Sequence, residues 1–455
     1  MLSWNQLFIR QGWMLEEREV NQFYLGLETT ENIDFLMECL NCAKIDYLHF
    51  CGVLEIISMP VVEEEWLKIV DVAGRGRTEA IFTPREFLEV ERLDVYVGGI
   101  VRQLNRLNIK TATSCDGDGT KRSVKIGFRK EDKVNLDLIE QLLGLELPII
   151  RRLDNDPWVH FSLGNRSVLH LNLAEKLSKI DVAWLELGTD YIKQQLFYEE
   201  LEELLMIPGA SGHEGKIRKF VRQKLTPYVD EITVDHYGNL LAEKTFGSGN
   251  GPTILLNAHL DVVEELLAGR KIIKDGSIWS SSKGILGADD RAGIAVILEV
   301  IKSIKNRNDF TGKIKIIFTV EEEIGLQGAK NVEEHFLWDV DAAIVVDRRG
   351  TGDIVTSCGG YIPFCKEEYG QWIEQQAKEA GLTGWAVTPG GSSDTKIWAS
   401  YGIESVNVSA GYRNEHTEDE TLDVEACYQT AKLIKSILKN SRSLSNVLRN
   451  ISMTV

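Results

Sequence analysis

The stretch Thr253-Ile254-Leu255-Leu256-Asn257-Ala258-His259-Leu260-Asp261 decides the fold. Its apolar run is too short for an ordinary helix. It is also too continuous for a strand with one wet face, so it reads as a strand buried on both sides. Similar runs recur at 313–319, 342–346 and 405–408. Helical periodicity fills the segments at 292–304, 368–380 and 423–438. Strands alternating with helices predict a mostly parallel sheet covered on both faces. Upstream, 196–206 reads as a helix that stops at Ile207-Pro208-Gly209-Ala210-Ser211-Gly212, and 216–225 as a second one.

In such a sheet, ligands gather just beyond the C-terminal strand ends. The quoted strand delivers His259 and Asp261 there. Gly287-Ala288-Asp289-Asp290-Arg291-Ala292-Gly293 opens the next helix, and the following strand runs into Val320-Glu321-Glu322-Glu323-Ile324-Gly325. Asp347 ends the strand after that, and His416 follows the last one. Singly, each has an ordinary reading. A strand-end Asp caps helices and forms turns, paired Asp residues suit a helix dipole, and a triple Glu is a solvated face. Jointly, two imidazoles and several carboxylates at buried strand ends are costly unless cations neutralise them. Mixed nitrogen and oxygen donors suit zinc, with cobalt or manganese as substitutes.

These motifs resemble the co-catalytic two-zinc exopeptidase superfamily, which includes peptidase T, glutamate carboxypeptidases, and leucyl- and glutamyl-aminopeptidases. The resemblance spans 195–441 and includes Ser211-Gly212-His213-Glu214-Gly215 and Val234-Asp235-His236-Tyr237-Gly238-Asn239-Leu240. It implies a zinc-exopeptidase-like α/β domain. It also implies that His259 binds one metal and His416 the other, that Asp289 bridges both, and that Glu323 and Asp347 complete the two sets. Glu322 matches the general base, and Asp261 the carboxylate that orients His259. Two divalent ions about 3.5 Å apart would activate a bridging water. The resemblance also implies a cis peptide between Asp289 and Asp290. Glu322 and Glu323 must both face the metals, although neighbours on a strand point opposite ways. They are therefore expected past the strand end, with the chain turning at Gly325. Gly390-Gly391-Ser392-Ser393-Asp394-Thr395 resembles the family's Gly-Gly-x-Asp loop. It reads either as a shaper of the substrate pocket or as a tight turn capping the next helix.

Outside that span the signals are weaker. The chain of 455 residues is expected to hold two or three domains. The boundaries read as an α+β domain of unknown role over 1–192, the peptidase-like domain over 193–441 and a C-terminal tail over 442–455. In the first of these, 36–47 and 99–107 read as helices. Residues 111–114 and 123–128 read as strands around the turn Cys115-Asp116-Gly117-Asp118-Gly119. Cys39, Cys42, His49 and Cys51 could suggest a structural zinc, but the spacing fits a helix face equally well.

The formal charge of -18 argues against nucleic acid and anionic lipid as partners. No stretch is apolar enough to span a bilayer, and Met1-Leu2-Ser3-Trp4-Asn5-Gln6 lacks the pattern of a signal peptide. Seven cysteines in no framework spacing suit a reducing cytoplasm. The close spacings from His259 to Asp289 and from Asp347 to Gly390 leave no room for the lid or inserted domain of some relatives. A compact catalytic domain is expected, with self-association through the N-terminal domain left open. The leading reading is an aminopeptidase or small-peptide hydrolase acting on a peptide or small amide. The alternatives are an N-acyl amino acid deacylase using the same site, or a non-catalytic metal-binding regulator. The complete ligand set and Glu322 argue against the regulator.

Overall fold

The computed structural model describes residues 2–72, 75–76, 88–117, 122–304 and 309–453. The chain forms two compact units, Met1–Leu196 and Phe197–Val455.

The quoted stretch is a central strand, Thr253–His259, with every residue buried. It pairs in parallel with Gly312–Thr319 on one side and Ala342–Arg348 on the other, and Glu404–Ser409 extends the parallel set. Antiparallel strands finish the nine-stranded sheet: Leu240–Phe246 and Glu231–Val234 at one edge, Asp353–Cys358 and Ile362–Pro363 at the other. Ala386–Gly390 runs parallel to Asp353–Cys358. The result is the expected α/β fold with a mostly parallel mixed sheet. The segments after His259 and after Asp347 fold into short strands and one helix of the C-terminal unit.

Alternation along the strands sorts their side chains to two cores. Ile254, Leu256, Ile316, Phe318, Ile344 and Val346 pack with the helices Ala288–Ser303 and Val424–Lys439. Leu255, Ile317, Ala343 and Val345 pack on the opposite face with Trp398. Each fully buried Leu, Ile or Val contributes about 1.5–3 kcal/mol, so register is held from both faces. Strand ends therefore reach fixed positions on one rim.

Close packing at that rim demands glycine. A Cβ on Gly293 would collide with the Val346 carbonyl and the Asp290 carboxylate. Gly293→Ala is expected to destabilise the C-terminal unit by at least ~1–3 kcal/mol, read as a lowered unfolding midpoint. An unchanged midpoint would show that the helix can slide away from the sheet.

Residues 442–455, read as a tail, carry a helix, Ser441–Met453. Its Leu444, Leu448 and Ile451 are buried in the larger core. That stripe at helical spacing is the signal a tail reading overlooks.

The N-terminal unit contains two four-stranded antiparallel sheets. One holds Glu16–Glu19, Gln22–Tyr24, Val53–Ile56 and Tyr47–Phe50. It adjoins an aromatic core in which Trp4, Phe8, Trp13 and Trp66 meet at ring separations of 5.6–6.2 Å. The expected helix at 36–47 lies earlier, at Thr30–Cys42, because Thr29 caps it through the Asn32 amide. Tyr47 instead opens a strand. The other sheet pairs Thr113–Cys115 with Lys125–Arg129, near the expected strands. Asp118 and Gly119 of the turn between them lie outside the described residues. Cys39 is buried in the aromatic core while Cys42 and Cys51 are exposed, and among the described residues none of them belongs to a group that could hold a metal ion. Among the described residues, no helix is long and apolar enough to cross a membrane.

Candidate metal and catalytic site

The parallel strand ends bring the sequence-predicted residues together. His259 ends the central strand and is 2% exposed at its side chain. Its Nε2 lies 3.0 Å from Asp289 Oδ1 and 3.6 Å from Asp347 Oδ1. His416 Nε2 lies 3.2 Å from Asp289 Oδ2 and 2.9 Å from Glu323 Oε1. The two oxygens of one carboxylate thus face two imidazoles that stand 157 positions apart in sequence numbering (His259 to His416). Asp347 groups with His259, and Glu323 with His416. Ligand atoms of His259, Asp289 and Glu323 lie within 4.8 Å of one another.

His259, Asp290 and Asp347 meet the same spacing. Asp290 is nevertheless committed elsewhere. Its Oδ2 accepts the His259 amide at 3.3 Å and its Oδ1 the Gly293 amide at 3.0 Å. The Asp289–Asp290 peptide is cis, as the resemblance implied.

Asp261 does more than face the imidazole. Its Oδ1 lies 3.4 Å from His259 Nδ1, while its backbone oxygen is 3.0 Å from the same nitrogen. The carboxylate also accepts the Glu322 amide at 3.0 Å, the Glu323 amide at 3.1 Å and the Ser211 hydroxyl at 2.8 Å. One buried side chain therefore fixes a histidine and two consecutive glutamates. The turn that carries those glutamates begins earlier than expected. Glu321 itself adopts a left-handed φ of 53°, ahead of Gly325 at 107°. The Glu321 amide is accepted by Glu214, and its carboxylate takes the Tyr237 hydroxyl at 2.7 Å. Both partners come from the opening motifs of the domain.

Sequence reasoning missed Tyr412, Asn407 and Glu420. The Tyr412 hydroxyl donates to Asp347 Oδ1 at 3.0 Å. Asn407 accepts the Asp347 amide and donates to its carbonyl. Asn407 also donates to Ser393. Ser393 caps the helix Asp394–Ser400, so the Gly-Gly loop caps a helix and is tied through Asn407 to Asp347. The only foretelling signal was the placement of Asn407 and Tyr412 in the strand and loop before His416.

Electrostatics show what the cluster lacks. Burial and the neighbouring Asp347 carboxylate push Glu322 up to about 10. Burial raises Glu323 to about 7, and raises Asp347 as well. Burial opposes charge on His259, yet Asp261, Asp289 and Asp347 outweigh it and lift the imidazole well above its usual value. Contact with Asp289 takes His416 to about 9. Burial also works against the Asp261 anion, but His259 and Ser211 hold it at about 2. The carboxylates are thus short of positive charge, and the imidazoles supply it only as cations. The donor set of two imidazoles and three carboxylates fits divalent metal ions.

The chain is similar to known proteins over this region. Residues 281–433 match the family of M42 glutamyl aminopeptidases. The Bacillus subtilis (strain 168) protein YqjE is 23% identical over 369 residues, which covers 55% of this chain and 99% of that protein. Peptidase T of Salmonella arizonae is 38% identical over 151 residues, covering 32% of each chain. The crystal structure of aminopeptidase PepT from Bacillus cereus ATCC 10987 covers 55% of this chain and 99% of that one, at 20% identity and a TM-score of 0.49.

Proposed function

From the site geometry and the match of residues 281–433 to the M42 glutamyl aminopeptidases, we propose that this protein is a two-zinc aminopeptidase or small-peptide hydrolase of the co-catalytic zinc exopeptidase kind. One observation carries the reading: Asp289 presents its two oxygens to His259 and His416 separately. A carboxylate so placed can serve two cations at once. His259 and Asp347 would hold one ion with Asp289, and His416 and Glu323 the other. Cobalt or manganese would satisfy the same donors. When bound, the ions supply Lewis acidity toward a carbonyl oxygen and toward water.

The chain's own residues do the rest. Asp261 keeps His259 Nδ1 occupied, so that Nε2 would be the nitrogen left to hold a metal ion. By holding the Glu322 and Glu323 amides together, Asp261 turns both glutamates to the same side. Among the described residues Glu322 makes no ion pair with a cationic side chain, and the charge of bound cations would favour its carboxylate form, the form that can accept a proton. It takes the proton of the attacking water and passes it to the departing amine. Tyr412 steadies Asp347 against rotation through its hydroxyl. The strand packing beneath fixes the carboxylates before substrate arrives, which is the condition for electrostatic catalysis. We place this activity in the cytoplasm, where seven thiols without framework spacing are at home.

The test is hydrolysis of amino-acid anilides, dipeptides and N-acyl amino acids by the protein loaded with zinc, cobalt or manganese. Turnover confined to free-amine substrates is expected. Turnover confined to acylated substrates would replace the reading with a deacylase. Tight metal binding without any turnover would leave only a regulator.

A further inference from the structure

We propose that Glu420 is a positioning residue for the metal pair, gripping the backbone of Asp289 from the same loop that brings His416 to its carboxylate. The inference rests on the two-metal reading and deepens it.

Glu420 is 1% exposed. Its Oε2 accepts the Gly287 amide at 2.7 Å, and its Oε1 accepts those of Ala288 at 2.8 Å and Asp289 at 3.1 Å. The first amides of a helix have no acceptor within it. At Ala288–Ser303 the N-cap is Gly287, which has no side chain to offer. A local Ser or Asp at that position could satisfy such amides cheaply. Here the acceptor comes instead from 131 positions downstream of Asp289. That distance is what a simple cap does not explain.

Its place on the chain does. Glu420 follows His416 by four residues, and its amide bonds back to Thr417. The loop is pinned on both sides. Tyr412–Arg413 pairs with Thr421–Asp423, which in turn pairs with Ile278–Ser281. One anchored loop therefore holds Asp289 at two points: His416 at carboxylate Oδ2 and Glu420 at the amide. Two grips on one residue leave it little freedom to rotate, so both oxygens stay aimed at their separate imidazoles. A shift of His416 would carry Glu420 with it and move Asp289 in the same sense. One loop would thereby govern how Asp289 presents its two oxygens to the cations.

Glu420→Gln keeps the shape but swaps one acceptor oxygen for a donor nitrogen, so one or more of the three amides loses its partner. Zinc and cobalt affinities are measured by competition with a chelator, alongside the unfolding midpoint of the metal-free protein. Affinity is expected to fall ~10–100-fold, the range for residues that orient metal ligands. Turnover lost at limiting metal should return at saturating metal. A lowered metal-free midpoint with parental affinity means a mere helix cap and overturns the assignment.

If the variant does not fold, hydrogen exchange on the parent protein decides. Metal loading should slow the amides of 287–289 and of 416–420 together, and slowing of one segment alone overturns the proposal. A parent protein that binds neither metal, or binds equally well as Asp289→Asn, removes the two-metal reading and this inference with it. A parent that binds while Glu420→Gln binds just as tightly removes only the role of Glu420.

Discussion

Glu322→Gln is expected to keep its full complement of metal and lose at least ~100-fold in kcat, with KM little changed. General acid–base groups contribute typically 10²–10⁴-fold. The amide is nearly isosteric and leaves the backbone contact to Asp261 intact, since that bond uses the Glu322 amide nitrogen rather than the side chain. None of the close contacts among the donor atoms involves the Glu322 carboxylate, so metal content should not follow it down. Near neutral pH a carboxyl raised to about 10 by burial and Asp347 must take up a proton on folding, a cost that the neutral amide does not carry. The metal-free variant is therefore expected to be no less stable than the parent. Steady-state kinetics with metal analysis on the same preparation separates the outcomes. Near-parental kcat would take Glu322 out of proton transfer. Lost metal would instead make it a ligand.

The contrast between Glu322 and Glu420 shows how far sequence carried. Strand-end residues were legible because a two-sided apolar run such as Thr253–His259 has few alternatives, and its end can be read to the residue. The strands 313–319 and 342–346 were found for the same reason, and each delivered its carboxylates to the rim. Glu322 and Glu323 were legible as a motif, but not the left-handed Glu321 that turns them, since φ leaves no mark on a residue type that rarely adopts it. Glu420 and Asn407 were invisible. Both act on backbone groups of distant segments, and such contacts have no spacing rule in one sequence. The N-terminal unit was read least well. Its strands are three to five residues long, so the periodicity has too few repeats to count. Its helix Thr30–Cys42 starts ahead of the expected 36 because the Thr29 cap, and not the apolar run from Leu36, sets its beginning.

Asp289→Asn is expected to abolish the paired site rather than the proton step. An amide offers one oxygen and one nitrogen that carries hydrogens, so it cannot present acceptor atoms to two cations. In the parent protein Oδ1 faces His259 and Oδ2 faces His416; the substitution must fail one of them. Residues that merely orient ligands cost 10–100-fold in metal affinity, so a shared ligand should cost at least ~100-fold, or about 2.7 kcal/mol at one site. That loss is visible without any substrate. Saturation at a thousand times Kd stabilises a protein by about 4 kcal/mol, roughly 8–16 °C of unfolding midpoint for a unit of this size. The parent should gain at least such a shift on zinc addition, and the shift of Asp289→Asn should be smaller by about 2.7 kcal/mol, roughly 5–11 °C, at the same zinc concentration. The metal-free proteins should differ less, because removing one of several crowded carboxylates offsets the lost contacts to the imidazoles. Equal zinc-induced shifts in the two proteins would mean that Asp289 bridges nothing. The contacts of Asp289 with His259 and His416 would then be ion pairs, and zinc would be held by other residues.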